Sequence, residues 1–419
     1  MLDVKLLRSE PDQVRAALAR RGAADAVDRI LELDARVREL TPKTDDLRAE
    51  RNQANDEIAG AKRLGDDAAA NAAIERVRSV SARIKELEAE LGEAERAREA
   101  VILGLPNLAD PTAADEDEVV KEWGEPRQGG RDHLELLGDR VDMEAAARVS
   151  GSRFAYLKGE VVLLELALVR WALEVLGGKG FVPVVPPVLV REEALYGTGF
   201  LPDTEQQIYS VPDDGLYLAG TSEVPLASLH AEQLLEEPSL PLRYAGFSTC
   251  FRREAGAAGK DTRGIFRVHQ FDKVEMFTFV RPEDSVDEHE RLLAIEEELF
   301  QALEIPYRVV NIGVAELGNS AAKKYDLEAW LPGDAGGRYR EVTSCSNTTD
   351  YQARRLDIRY RPLDASGTRH VHTLNGTAVA VGRAIIAIVE NHQRDDGGVA
   401  IPEVLHAYGA PPVIPPAQG

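Results

Sequence analysis

The stretch 250–280, CFRREAGAAGKDTRGIFRVHQFDKVEMFTFV, sets two β-like runs about a Gly-rich loop and fills them with charge. Its second run alternates, so Arg267, His269, Phe271, Lys273, Glu275 and Phe277 share one face, opposite Phe266, Val268, Gln270, Asp272, Val274 and Met276. Phe271 offers a flat π surface, and Glu275 offers a carboxylate about 13 Å further along an extended strand. That separation suits a nucleotide stacked on the ring with a small amine beyond it. Arg252, on the preceding run, adds a fork-shaped cation of the kind that grips phosphate oxygens in two places. The alternative reading is a charged surface hairpin without a ligand.

FRREAG, then GKDTRG, then RVHQFDKVE resembles the second signature motif of class II aminoacyl-tRNA synthetases in its seryl form. The resemblance covers nearly the whole chain, from LDVKLLRSEPDQV through AARVSGSRF and TSEV to TSCSN, NGTAVAVGR and ENHQ. It implies ATP contacts at Arg252, Arg253, Glu254, Val268, Phe271, Glu341, Val342, Thr343, Ser344 and Arg383. It implies serine contacts at Thr221, Ser222, Glu223, Arg252, Glu275, Asn375 and Thr377, with Arg252, Glu275 and Arg383 as the catalytic groups. The chemistry implied is formation of seryl-adenylate from serine and ATP, then transfer of the seryl group to the 3′-end of serine tRNA. Selenocysteine tRNA stays open as a second acceptor.

Other segments carry weaker local signals. In GFVPVVPPVLV, Gly180 starts a strand and Pro187, which donates no backbone hydrogen bond, ends its regular ladder. Locally this is equally an edge strand; the resemblance makes it the first class II motif and implies a homodimer. NGTAVAVGRAIIAIVENHQ reads as a helix with an apolar face through Val381, Ile385, Ile388 and Val389. On that helix Arg383 is either a salt-bridged arginine or, as the resemblance implies, a contact to the γ-phosphate that covers the adenine opposite Phe271. In REVTSCSN, Glu341 and Ser344 are hard oxygen donors suited to Mg²⁺ already held by phosphates. Such residues also populate ordinary turns, and only the resemblance assigns these two to the metal. His370 and His372 lack further ligands for zinc and read as structural.

The elements that must position these residues are written less sharply. With 419 residues, 44% hydrophobic and 29% charged, the chain has ample core for two or three domains. A net charge of −22 argues against nucleic-acid binding by bulk charge, so such a role needs local basic patches. Two cysteines, Cys250 and Cys345, exclude a disulfide framework and suit a reducing, cytoplasmic setting. No targeting signal is visible, and the apolar run 161–176 is interrupted by Glu165, Arg170 and Glu174, which reads as a buried helix rather than a membrane span.

Two heptad runs stand out: Ile30, Leu33, Val37, Leu40, Thr44, Leu47, Arg51, Ala54, Ile58, Ala61, and Ala70, Ala73, Val77, Val80, Ile84, Leu87, Leu91, Ala94, Arg98, Val101. Leu64, Gly65 and Asp66 break them, so the helices must lie antiparallel as an arm roughly 48 Å long, projecting like a lever. The arm is a probe for an elongated partner or a dimerisation coiled coil; the resemblance makes the partner serine tRNA. Residues 27–101 carry 14 Lys or Arg against 18 Asp or Glu, and Lys43, Arg48, Arg51, Lys62 and Arg63 form the candidate tRNA-binding stripe.

The domain reading is an N-terminal helical arm over 1–110 with its hairpin at 27–101, a connector over 111–132, an α+β catalytic domain with an antiparallel sheet flanked by helices over 133–409, and a disordered tail over 410–419. No dinucleotide or P-loop fingerprint occurs, so ATP needs another scaffold. Two rivals remain: a ligase on the same catalytic domain that loads a carrier protein, which lacks such an arm, and a non-catalytic coiled-coil protein, against which the presence of Arg252, Glu275, Glu341 and Arg383 argues.

Overall fold

The computed structural model describes all residues except 203–206, 256–262, 335 and 418–419. The centre of the loop in FRREAGAAGKDTRG therefore lies outside the described residues. The chain forms two compact units, 1–106 and 107–419.

In the first unit two short helices, α1 (Val4–Ser9) and α2 (Pro11–Ala19), precede the long pair α3 (Ala26–Leu64) and α4 (Asp67–Leu103). The heptads explain the pairing. Ile30, Leu33, Val37, Leu40, Thr44 and Ala54 are buried on α3, and Ala70, Ala73, Val80, Ile84, Leu87 and Ala94 on α4. Gly65 ends α3 in the left-handed conformation, which glycine adopts without a Cβ penalty, and the Asp66 side chain caps α4 by accepting from the Ala69 N–H. At 39 and 37 residues the helices run about 58 and 56 Å, longer than expected because they continue beyond the heptads. A charge at a heptad position is explained too: Arg98 donates to buried Asp34 at 2.7 Å.

The second unit is built on one eight-stranded sheet. Its strands are β1 (Glu118–Trp123), β2 (Val182–Val184), β3 (Leu242–Phe251), β4 (Gln270–Val280), β5 (Tyr307–Asn311), β6 (Lys323–Leu331), β7 (Arg338–Asn347) and β8 (His372–Ala380), in the order β1-β5-β6-β7-β8-β4-β3-β2. All neighbours are antiparallel except β2, which runs parallel to β3 at an edge. Proline is tolerated there, at Pro183, because an edge strand can spare a donor. On one face α6 (Glu160–Gly178), α8 (Ser285–Ala302) and α10 (Val381–Asn391) bury a core that includes Trp171, Val274, Met276, Phe300 and Ile385. Two shorter helices, α7 (Glu223–Ala227) and α9 (Tyr351–Arg355), carry site residues; α5 (His133–Leu137) lies against α10.

Three expectations need correction. The segment 111–132 is more than a connector, since it supplies β1, whose exposed side chains Glu118, Lys121 and Glu122 hid the strand among charges that suit a sheet edge. The tail is not structureless: Val413–Ile414 pairs with Val399–Ala400 and Ile414 is buried, because two apolar residues between prolines suffice for one short ladder. The alternating run taken from Phe266 begins as a strand only at Gln270, with Arg267 and His269 in the approach to it.

Candidate active site

Alternation along β4 does most of the positioning. Phe271, Lys273 and Glu275 face a cavity of about 360 Å³, while Val274 and Met276 enter the core behind. Cross-strand partners share a face, so Glu275 lies opposite Thr377 and Gly246, and Lys273 opposite Ser248 and Ala380. Gly246 is a forced choice. A Cβ there would stand 2.7 Å from the Leu226 side chain and 3.1 Å from that of Ser222, so a larger residue would require those buried side chains to shift.

Two bulges re-aim side chains that plain alternation would hide. Between β4 and β8 the pairing jumps from Val274–Val379 to Glu275–Thr377, leaving Ala378 extra and keeping Thr377 and Asn375 on the cavity side. Between β6 and β7 it jumps from Leu327–Thr343 to Glu328–Glu341, leaving Val342 extra. Glu341 and Ser344, three residues apart and thus on opposite faces of a regular strand, thereby line the same cavity.

At the deep end two carboxyls meet. Glu223 is buried, and its Oε1 accepts from Gln352 Nε2 at 2.7 Å and from Asn375 Nδ2 at 3.1 Å. Burial, and then the neighbouring Glu275, push its carboxyl up to about 7 against the opposing effect of the Gln352 bond. Glu275, 2% exposed, is ion-paired through its Oε2 with the likewise buried Lys273. Two neighbouring buried carboxyls with a single lysine between them suit a further cationic ligand. Thr221 Oγ1 accepts from the Glu223 N–H at the start of α7, and Ser222 Oγ meets Ser248 Oγ at 2.8 Å.

At the other end the charges are mostly positive. Arg252 donates from Nε to the Gly220 carbonyl at 3.1 Å and lies 5.4 Å over the Phe271 ring. Arg383 donates to the Glu341 carbonyl at 3.0 Å, approaches the Glu341 carboxylate at 3.4 Å and stacks 4.8 Å over Phe266. Burial alone would raise the Glu341 carboxyl, but Arg383, Lys324 and Arg252 hold it below its ordinary value, so it stays ionised. Glu254 accepts from Arg267 at 2.6 Å.

Among the expected residues, Thr221, Glu223, Arg252, Glu254, Val268, Phe271, Glu275, Glu341, Val342, Thr343, Ser344, Asn375, Thr377 and Arg383 line this one cavity. Ser222 lies beneath it, and Arg253 is tied by its N–H to the Gln207 carbonyl instead. Sequence reasoning missed Lys273, Lys324 and Gln352 as site residues. Lys324, Asp326 and Glu328 share a strand face opposite Tyr325, Leu327 and Ala329, the same signal of charges on one face that had marked β4. On the arm, Lys43 pairs with Glu39 and Arg48 with Asp45 and Glu88, Arg51 is half-buried, and Lys62 and Arg63 are exposed near the turn.

The oxygen donors Glu341 and Ser344 fit a hard cation that brings most of its shell from phosphate and water. Among the described residues no group of three or more His, Cys, Asp or Glu side chains is placed to build a metal cage. No helix among the described residues is long and apolar enough to cross a membrane.

Comparison with known proteins adds to this geometry. Residues 1–109 match the family "Seryl-tRNA synthetase N-terminal domain", and residues 209–392 match "tRNA synthetase class II core domain (G, H, P, S and T)". The chain is 47% identical over 427 residues to a serine-tRNA ligase of Thermobifida fusca, covering 99% of each chain. Its fold is similar to the seryl-tRNA synthetase of Pyrococcus horikoshii complexed with ATP, with a TM-score of 0.92, 44% identity and 100% of both chains covered. It is also similar to the cytoplasmic serine-tRNA ligase of Naegleria fowleri in complex with AMP, with a TM-score of 0.87 and 36% identity over 100% of this chain and 99% of that one.

Proposed function

We propose, because the chain belongs to the seryl-tRNA synthetase family, that the cavity over the eight-stranded sheet is where ATP and L-serine meet. The activity is that of a serine-tRNA ligase: it activates L-serine with ATP to seryl-adenylate and transfers the seryl group to the 3′-end of serine tRNA. The carrier-protein ligase and the non-catalytic interaction protein receive no support from a likeness that spans both units. The observation that carries the site is its polarity: the buried carboxyls of Glu223 and Glu275 at one end, Arg252, Arg383 and Lys324 at the other.

In this reading the serine ammonium sits against the carboxyls, and Thr221, Asn375 and Thr377 supply neutral partners for its hydroxyl. ATP stacks its adenine between Phe271 and Arg383, with Val268 beside it. The serine carboxylate oxygen attacks the α-phosphorus in line, the bond to the bridging oxygen of pyrophosphate breaks, and pyrophosphate leaves. Arg252 balances charge on the α-phosphate and Arg383 balances it on the leaving group, so positioning and electrostatics do the work without a covalent enzyme intermediate. Mg²⁺ bound through Glu341 and Ser344 would supply further positive charge to the phosphates. In the second step the 3′-terminal hydroxyl of tRNA attacks the seryl carbonyl carbon and AMP leaves. The arm presents the candidate stripe Lys43, Arg48, Arg51, Lys62 and Arg63 to the tRNA backbone, with shape rather than bulk charge as the recognition element. Two buried, unbridged cysteines agree with placement in the cytoplasm.

Exchange of labelled pyrophosphate into ATP, without tRNA, tests the first step across serine, threonine, alanine, glycine and cysteine. Serine alone is expected to support it: an amino acid lacking the hydroxyl leaves buried polar groups unpaired at a cost of roughly 10⁴-fold, and threonine, the harder competitor, is excluded by the shape its extra methyl violates. Exchange with another amino acid in serine's place would refute the pocket assignment. The same assay carries a pH signature. Glu223 titrates near 7 in the free protein and the bound ammonium favours its ionised form, so serine binding requires proton loss below pH 7. The KM for serine is expected to fall about tenfold from pH 6 to pH 8.

A homodimer is the proposed assembly. Leu163 and Leu166 on α6 and Val182 and Val185 about β2 are exposed beside a sheet edge that lacks a neighbour among the described residues. Equilibrium sedimentation at micromolar concentration should return twice the chain mass, and a monomer there would rule this assembly out.

A further inference from the structure

Beside the cavity just described lies a smaller one of about 280 Å³, lined in part by His133, Arg263, Phe266, Arg340 and Glu390. His133 and Glu390 are both buried, and neither has a place in the chemistry above. Glu390 stands near the end of α10, the helix that carries Arg383 near its start. Its Oε1 accepts from the His133 N–H at 3.1 Å and meets His133 Nδ1 at 3.0 Å, and its Oε2 accepts from the Gly333 N–H at 2.9 Å. On the far side of the ring, the Ile265 N–H donates to Nε2 at 3.3 Å. These partners dictate the tautomer. A backbone N–H needs a lone pair on Nε2, so the proton sits on Nδ1 and points at Glu390, leaving the imidazole neutral.

The ring is also a steric support. Gly264 has φ +77°, and a Cβ there would stand 2.1 Å from His133 Nε2, so the 264–266 turn rests directly on the imidazole. Ile265, Phe266, Arg267 and Val268 leave that turn as a wall of the larger cavity. The Phe266 ring is covered by Arg340 at 3.8 Å and by Arg383 at 4.8 Å. A continuous path therefore runs from Glu390 through His133 and Ile265 to Phe266 and the guanidinium of Arg383.

We propose that His133 is a positioning residue for ATP: its neutral ring, oriented by Glu390, fixes the 264–268 turn so that Phe266 holds Arg383 over the nucleotide. This rests on the reading of the cavity as the ATP and serine site. A buried histidine that served only stability would lower the melting temperature without discriminating between substrates, whereas a positioning role acts on ATP alone.

The test is steady-state pyrophosphate exchange by His133→Ala, His133→Gln and Gly264→Ala beside the unaltered protein, with a melting curve for each. His133→Ala is expected to raise the KM for ATP about tenfold, the loss of roughly one ordinary buried hydrogen bond, while the KM for serine stays within about twofold. His133→Gln, whose amide offers one donor and one acceptor, should recover most of that affinity. Gly264→Ala, which displaces the ring from the other side, should reproduce the ATP-selective loss even if His133→Ala folds poorly. An ATP KM unchanged in folded variants overturns the inference, as does a parallel rise in both KM values that glutamine does not relieve. Absence of serine-dependent exchange in the folded, unaltered protein would instead overturn the reading of the cavity, and the inference with it.

Discussion

Arg252→Ala is expected to lower kcat/KM for serine-dependent pyrophosphate exchange by about 10²- to 10³-fold, the usual cost of removing one preorganised charge donor from a developing transition state. The side chain is already oriented before substrate arrives. Its Nε is committed to the Gly220 carbonyl, its guanidinium carbon lies 5.4 Å from the Phe271 ring centre, and the side chain lines the cavity. Lysine should recover little, since an ammonium can neither bridge two phosphate oxygens nor stack in the same way. Rapid-quench measurement of adenylate formation separates this from a binding defect. A loss smaller than about tenfold would remove Arg252 from the role given to it here.

The second large effect concerns the arm. Excising 51–80 and closing residues 50 and 81 with a short glycine turn removes Arg51, Lys62 and Arg63 but leaves the buried pairs nearest the base, among them Ile30, Val37 and Leu40 on α3 and Ile84, Leu87 and Ala94 on α4. Transfer of serine to tRNA is expected to fall at least about a hundredfold in kcat/KM, as several phosphate contacts are lost together, while tRNA-independent exchange stays within about twofold. Equal losses in both assays would mean that the arm supports the catalytic unit rather than the tRNA. The salt dependence of transfer gives a second reading, because fewer phosphate contacts flatten its slope.

How much of this was legible beforehand depended on whether the responsible signal was local. The heptads over 30–101 named their own partners, since apolar side chains at alternating three- and four-residue steps can be buried only by a second such helix. The face of β4 bearing Phe271 and Glu275 was equally plain, because strand alternation is a period-two property of adjacent residues. Glu341 and Ser344 were different. Their spacing is wrong for one face of a regular strand, and only the bulge at Val342, a mismatch between β7 and its neighbour, brings them together. Gln352 was invisible for a similar reason: it lies on α9, 129 residues from the carboxylate it holds. Strand β1 was obscured because its charged and apolar residues follow no alternation, as befits an exposed edge.

Sequence alone determined the membership of the chain, its two-part organisation as arm and α+β sheet, and the residue types gathered for nucleotide and amine. Each of those is written in short-range pattern or in motifs of a few residues. Only the tertiary structure decided which carboxyl carries a raised titration and which stays ionised, because that depends on burial and on charges brought together from β4, β6, α10 and Arg252 just past β3. It alone also placed His133 and Glu390 behind the motif-bearing turn, 257 residues apart in the chain and joined by two hydrogen bonds. Desolvation and hydrogen-bond geometry are properties of the packed molecule, and no periodicity in a sequence encodes them.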